Sequence, residues 1–268
     1  MVDHGAVACA DGGDSEVSML ALQYAAGCRD GNTETSTARL YRFNSAPRNP
    51  VHMRMFSDSV YARQYLIRAA GLDRRIGNAC GYGLTVNAAG WLSWRSAFPC
   101  EQSTLAGTRK VYVTAKLDYL PIALQAVVRI ARSTGVAVFK FGADYANLRR
   151  PDRIVIYTRN RAHAKEVADA LRPALADVPA DALPFAERMS AATFTGLDPP
   201  GTLPGLADGA RSWRGWLCRA LAEALHQDAG CAPAAAVDAA LRHARSLGVD
   251  PHRWSVADSF FAEMAGED

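Results

Sequence analysis

The run VAVFKFGADYANLRRPDRIVIYT, residues 136–158, constrains this chain more than any other stretch. Two apolar, strand-like runs, 136–141 and 153–158, flank a short polar connection. Lys140 sits inside the first run, and Arg149, Arg150 and Arg153 crowd the start of the second. A lysine within an apolar strand costs free energy unless it is paired, deprotonated or open to a cleft. Clustered arginines repel one another unless carboxylates or a bound anion offset them. Together these residues describe a pocket for something negative, with an amine beside it.

The charge distribution agrees. The whole chain of 268 residues carries a formal net charge of +3. Residues 109–161 alone hold eight Arg, three Lys and three Asp, a local +8, which leaves −5 for the remainder. One concentrated basic segment in a near-neutral chain implies an anionic ligand near that segment. The segment is strand-rich and lacks RNP, KH, zinc-finger and helix-turn-helix signatures, so nucleic acid loses support. No G-x-S-x-G, Walker A, G-x-G-x-x-G or HExxH pattern occurs, which argues against hydrolases, P-loop enzymes and Rossmann oxidoreductases. Six scattered cysteines show no CxxC or Cys/His metal spacing and read as reduced thiols of a cytoplasmic protein. The N-terminus lacks a basic region followed by an apolar core, so no signal peptide is expected, and no run approaches a membrane span.

In chain order, residues 1–16 are small and polar and are expected to be disordered. Helices are expected at 17–26 and 59–71, the latter with Ser59 as cap and Gly71 as stop. Between them, 29–37 reads as a polar loop, 39–43 (RLYRF) as a strand or extended segment, and 44–50 as a second loop. Residues 81–98 read as a β-hairpin. Residues 109–116 (RKVYVTAK) alternate strictly and read as a half-buried strand, with Lys110, Tyr112 and Thr114 on one face. Asp118 and Pro121 open a helix that Gly135 closes. Asn160 caps another helix, which Pro173 should end. Residues 179–209 read as loop, 212–227 and 232–247 as amphipathic helices, and 254–264 as a last short helix. The layout is α+β, a mixed, mainly antiparallel sheet flanked by helices.

Each candidate has two readings. Lys110 and Tyr112, two apart on a strand, offer a cation and a phenolic donor on one face, or only a solvated face with a half-buried tyrosine. Lysines partly desolvated among cations lose their proton more readily and can act as general bases, so Lys140 is a candidate base. It can equally snorkel from a strand end. Arg149, Arg150 and Arg153 can fork onto phosphate or carboxylate, or lie in a solvated loop beside Asp152. Arg214 and Arg219 lie near the start of a helix, an end unfavourable to cations, which a bound anion would relieve. Among the six histidines none forms a helical metal pair; His163 and His226 read as solvated helix residues, and His52 as a loop histidine with catalytic potential.

The run FKFGADY…RRPDRIVIY, preceded by RKVYVTAK and a helix, resembles bacterial phosphothreonine lyases. Those carry a Lys-x-His strand, a helix, a strand ending in a catalytic Lys, and an Arg before an "FTLY"-like strand. It also resembles the lyase domain of class III and IV lanthipeptide synthetases, whose text is similar to "GVAFKF…KFITIY". The nearest resemblance is to standalone type III effector-like proteins of the Hop-A class, which occur in actinobacterial clusters for ribosomally made, modified peptides. Phe139-Lys140, Arg150, Asp152 and residues 154–157 are the counterparts of that class's aromatic-Lys, Arg-x-Asp and apolar strand ending in Tyr. Ser212-Trp213, Cys218-Arg219 and residues 221–225 match its C-terminal pattern.

The resemblance implies a phosphothreonine-lyase-like fold and elimination of phosphate from phosphoserine or phosphothreonine of a precursor peptide. It implies Lys140 as general base and Lys110 as phosphate ligand. Tyr112 falls where the phosphothreonine lyases have the histidine general acid, a departure that the Hop-A class shares. Arg150 matches the phosphate-binding arginine, with Arg149 or Arg153 as substitutes, and Arg214 or Arg219 matches a late phosphate arginine. No metal or cofactor is implied, and a separate kinase must supply the phosphopeptide. Residues 17–268 are expected to form a single lyase-like domain, with catalytic part 106–268 and an N-terminal part 17–105. Arg39 and Arg42 in the latter are expected to bind the peptide's leader or line the entrance. The other readings are a non-catalytic precursor-binding partner of the kinase and, more remotely, an effector acting on a folded protein.

Overall fold

The computed structural model describes residues 14–28, 31–72, 82–87, 90–96, 108–199, 212–227, 230–257 and 260. Its centre is a seven-stranded sheet in which every pairing among the described residues is antiparallel. The strands are β1 (Tyr82–Asn87), β2 (Trp91–Ser96), β3 (Arg109–Val113), β4 (Val138–Gly142), β5 (Ile154–Thr158), β6 (Glu187–Arg188) and β7 (Thr193–Leu197). Their spatial order is β1-β2-β4-β5-β3-β7-β6. The α+β class read from the sequence holds, and the hairpin β1–β2 joins the same sheet through β4.

Alternation along the strands sorts side chains onto two faces. One face carries Leu92, Trp94, Val111, Val113, Phe139, Phe141, Ile154 and Ile156, all buried in one core. Trp94 lies nearly parallel to both neighbours, its ring 5.7 Å from Phe139 and 4.6 Å from Phe141. Helices α4 (Ser59–Ala69), α5 (Leu120–Ser133) and α7 (Arg161–Ala174) cover this face. Each large side chain sealed here contributes about 1.5–3 kcal/mol.

A second core joins α1 (Asp14–Gly27), α2 (Thr33–Arg42), α8 (Trp213–Gln227) and α9 (Pro233–Ser246) around Phe185 and Trp254. It meets the other sheet face at Gly196 of β7. A Cβ there would fall 2.5 Å from the Trp213 ring, so only glycine lets the first residue of α8 rest on the strand. Two short helices, α3 (Pro50–Met55) and α6 (Tyr145–Leu148), complete the described elements together with a 3₁₀ turn at Leu117–Tyr119.

Several expectations need correction. Residues 33–42 are helical, not loop followed by strand. The Asn32 side chain accepts from Thr35 N at 2.9 Å, and Ser36 and Leu40 are buried one turn apart. Asn49 and Pro50 start α3 in what reads as loop, since proline suits the first helical turn. Asp58, not Ser59, caps α4. Asp118 makes no capping bond at the start of α5 and instead meets His52. Pro173 lies inside the last turn of α7 rather than beyond it. Residues 179–209 contain β6 and β7. β3 is a central strand buried on both faces, so its alternation does not mark a solvated side. His163 is buried, with Nε2 2.9 Å from the Thr134 carbonyl, and burial lowers its pKa below the usual 6.5. His226 is partly buried against Ser36.

Asp14, Ser15 and Glu16 belong to α1; the rest of the expected N-terminal disorder, residues 1–13, lies outside the described residues. Of the expected last helix, Ser255 bridges to Asp250, while 258–259 and 261–264 lie outside the described residues.

Candidate active site

Register brings the two strand lysines onto one face. Lys140 on β4 lies opposite Val155 on β5, and Val155 lies opposite Tyr112 on β3. One pleat along, Tyr157 on β5 lies opposite Lys110 on β3. Cross-strand partners share a face, so Lys110, Tyr112, Lys140 and Tyr157 are neighbours. The Tyr157 ring stands between the amines, its centroid 5.0 Å from Lys110 Nζ and 5.6 Å from Lys140 Nζ. Lys140 Nζ is also 4.6 Å from the Trp91 ring centroid, and it makes no ion pair among the described residues.

Lys110 is buried and contacts the Asp198 carboxylate. Burial disfavours its ammonium, but Asp198 outweighs that and raises its pKa above the usual 10.5, so Lys110 is a fixed cation. Burial lifts the Asp198 carboxyl above its usual value. Its other oxygen accepts from Trp213 N at 2.8 Å, tying Lys110 to the start of α8. Burial, reinforced by Asp198, pushes the Tyr112 phenol well above 10, which keeps it protonated as a hydrogen-bond donor.

A second set of cations reaches the face from loop and helix. Arg150 forks onto Asp152, Nε to Oδ1 at 2.9 Å and Nη2 to Oδ2 at 2.7 Å. Arg214, the second residue of α8, is buried, with Nη1 2.9 Å from the same Asp152 oxygen but not aligned as a hydrogen bond. Between the guanidinium groups lies Tyr41 of α2. Its ring centroid is 4.9 Å from Arg150 Cζ and 4.7 Å from Arg214 Cζ. Arg150 Nη2 donates to the Tyr41 hydroxyl and Arg214 Nη2 to the Tyr41 carbonyl, both at 2.7 Å. Trp91 links the two halves, since Arg150 Cζ lies 5.1 Å from the ring that Lys140 also faces. Burial opposes ionisation of Asp152, yet Arg214 and Arg150 outweigh it and hold the carboxyl well below the usual carboxylate range.

Other sequence candidates lie elsewhere. Arg153 is fully buried; its guanidinium serves Asp181 at 2.6 Å and the carbonyls of Arg150 and Ala115. Its donors are turned toward these partners inside the fold rather than toward the face of Lys140. Arg149 donates to the Ala46 carbonyl at 2.6 Å and pins the 44–50 loop. Arg219 pairs with Glu223 on the exposed side of α8, which leaves Arg214 as the late arginine at this face. Arg39 reaches the Cys28 carbonyl. Arg42 lines a groove of about 660 Å³ between α2 and α8, with Tyr41 and Arg219. His52 pairs with Asp118 on the surface. Tyr41, Trp91 and Asp198 are not marked as site residues in the sequence, and Tyr157 enters there only as the end of an apolar strand. For Tyr41 a signal existed, the spacing of Ser36, Leu40 and Phe43 after the capping Asn32.

Lys110, Arg150 and Arg214 against Asp152 and Asp198 leave a formal surplus of one positive charge, with the Lys140 amine beside them. A phosphate monoester, about −2 near neutral pH, would offset that surplus. An amine and a protonated phenol lie on the same face, so the cluster can bind a phosphate and move a proton beside it. Among the described residues no group of His, Cys, Asp or Glu is arranged to hold a metal ion.

No family model matches the chain, and no curated protein does. Among solved structures it is similar to the effector protein from Pseudomonas syringae pv. syringae strain 61, with TM-score 0.53 and 11% identity over 90% of this chain and 98% of that one. The effector protein from Pseudomonas syringae pv. tomato strain DC3000 gives TM-score 0.50 and 12% identity over 91% and 98%. A more partial match is the phosphothreonine lyase SpvC, the effector protein from Salmonella, with TM-score 0.39 and 12% identity over 52% and 90%. The chain therefore shares its fold with the two Pseudomonas effector proteins along nearly its whole length. No helix among the described residues is long and apolar enough to cross a membrane.

Proposed function

We propose that this chain is a phospholyase that removes phosphate from phosphoserine or phosphothreonine in a peptide, leaving dehydroalanine or dehydrobutyrine. The observation that carries the reading is the convergence of Lys140 and Tyr112 with Lys110, Arg150 and Arg214 on one sheet face. Lys110, Arg150 and Arg214 hold the phosphate dianion. The amine of Lys140 takes the Cα proton, the electron pair of the Cα–H bond becomes the Cα–Cβ double bond, and the Cβ–O bond breaks. Phosphate departs with the electrons of that bond, and the cations stabilise the charge gathering on it. Tyr112 donates to the bridging oxygen, as its raised pKa suits.

The resemblance to lyases of modified-peptide clusters makes a ribosomal precursor peptide the substrate and the cytoplasm the setting. A separate kinase supplies the phosphoryl group, since the sequence carries no recognisable nucleotide motif. The N-terminal part, 17–105, contributes Tyr41 and Trp91 to the site, and Arg42, which lines the adjoining groove with Tyr41, is our candidate contact for the peptide beside the phosphorylated residue.

The test is mass spectrometry of phosphoserine and phosphothreonine peptides, including the product of the chain's own kinase, after incubation with the purified protein. Elimination removes one phosphoric acid, whereas hydrolysis restores the hydroxyl. If the peptides bind and no phosphoric acid is lost, the chain is a binding partner and not a lyase.

A further inference from the structure

Six of the seven large apolar side chains exposed among the described residues fall on three neighbouring elements. They are Val51 and Met53 on α3, Val60 and Tyr61 in the first turn of α4, and Tyr119 and Ile122 at the start of α5, and Val51 is 70% exposed. The three elements are fastened to one another. His52, between Val51 and Met53, has Nε2 2.8 Å from Asp118 Oδ1, next to Tyr119. The Phe56 ring at the end of α3 packs against Tyr65 of α4 at 6.0 Å. Asn49 N donates to the Tyr145 hydroxyl at 2.8 Å and fixes the start of α3. A fixed apolar surface of this kind marks an interaction site more often than a solvated one.

Beyond the patch, the outer stripes of both helices turn basic. On α4 the exposed positions run from Val60 and Tyr61 through Gln64 to Arg68, and on α5 from Ile122 through Gln125 to Arg129 and Arg132. These spacings keep each stripe on one helix face. A cavity of about 550 Å³ lies between the helices at the basic end, lined by Gly71, Gln125, Val128, Arg129 and Arg132. Arg68, Arg129 and Arg132 pair with no carboxylate among the described residues. Among the described residues Asp58 is engaged as the α4 cap and Asp118 with His52.

We propose that α3, α4 and α5 form a docking surface for an acidic peptide segment, its apolar anchors on the patch and its carboxylates on Arg68, Arg129 and Arg132. Apolar anchors beside a charged end are how a helical or extended segment is held in register. The arginines have no carboxylate partner among the described residues and would accept the peptide's carboxylates, and the cavity beside them takes side chains of the segment. α4 and α5 cover the sheet face opposite Lys140, so this surface is independent of the proposed lyase site and stands or falls without it.

The experiment uses the full chain and three fluorescein-labelled synthetic peptides with one shared apolar anchor pattern and glutamate, glutamine or lysine tails. Fluorescence polarisation should show the glutamate peptide binding at least about tenfold tighter than the lysine peptide, with affinity falling as salt rises. Tyr61→Glu with Ile122→Glu, and separately Arg129→Glu with Arg132→Glu, should each weaken binding about tenfold or more. All four positions are exposed, so the variants should keep the wild-type unfolding midpoint and unchanged affinity for inorganic phosphate. The proposal is overturned if none of the peptides binds, if glutamate and lysine tails bind alike, or if the variants bind as the wild type does. Preferential binding of single-stranded RNA by the same arginines, or dimerisation in sedimentation that Ile122→Glu abolishes, would overturn it in favour of another occupant.

Discussion

Replacing Lys140 with alanine is expected to slow elimination from a phosphothreonine peptide by about 10²–10⁴-fold, the usual contribution of a positioned general base. The loss should appear in kcat and leave phosphopeptide affinity nearly unchanged. In the proposed site Lys110, Arg150 and Arg214 hold the phosphate, and none of these hydrogen-bonds to Lys140 or depends on it for position. Trp91 and Tyr157 lose a cation–π partner, worth about 0.5–2 kcal/mol, so the fold should survive. Lys140→Arg should be nearly as slow as alanine, because a guanidinium keeps its proton at any working pH. Single-turnover mass spectrometry with saturating enzyme reads the chemical step directly. An alanine variant within about threefold of wild type would mean that the base lies elsewhere.

Asp152→Asn is expected to act on stability first. The carboxylate is buried and offsets two guanidinium groups, one of them fully enclosed in the first turn of α8. Removing one partner of such a buried set costs about 3–5 kcal/mol, because the charges left behind are uncompensated. The effect should depend on pH with a definite sign. Arg214 and Arg150 depress the folded-state pKa of Asp152, so its contribution is present above the unfolded value of about 3.9 and disappears as pH falls through the folded one. Urea unfolding should therefore separate wild type from Asp152→Asn widely at neutral pH, and the gap should narrow below about pH 4. Inorganic phosphate should recover part of the loss at neutral pH, since it supplies the missing negative charge to the same arginines.

The strands at the heart of the site were legible because their apolar residues alternate or run unbroken over the right length. Residues 109–113, 138–142 and 154–158 pair as one block, and the lysines fall on the polar positions of that pattern. Alternation could not reveal that the face bearing Lys110 and Tyr112 is roofed by a second helical layer. A polar row under a roof and a polar row in water have the same spelling. α2 left only a faint signal, its Asn32 cap and the spacing of Ser36 and Leu40, because TETSTARLYR buries little else and takes its stability from packing against α8. Missing α2 meant missing Tyr41, on which Arg150 and Arg214 converge. The arginine cluster could not be divided in advance either. Arg150 and Arg153 differ by three positions, and their roles part only because Asp152 pairs with Arg150 and Asp181 meets Arg153 across the fold.

The most direct test of the central claim is the fate of the Cα hydrogen. A peptide with α-deuterated phosphothreonine, incubated with the wild-type chain, should give a product in which every molecule that has lost phosphate has also lost the deuterium. A dephosphorylated product that retains deuterium at Cα would show that no proton is abstracted there, and would contradict the assignment of Lys140, Tyr112 and their cationic neighbours as an eliminating site.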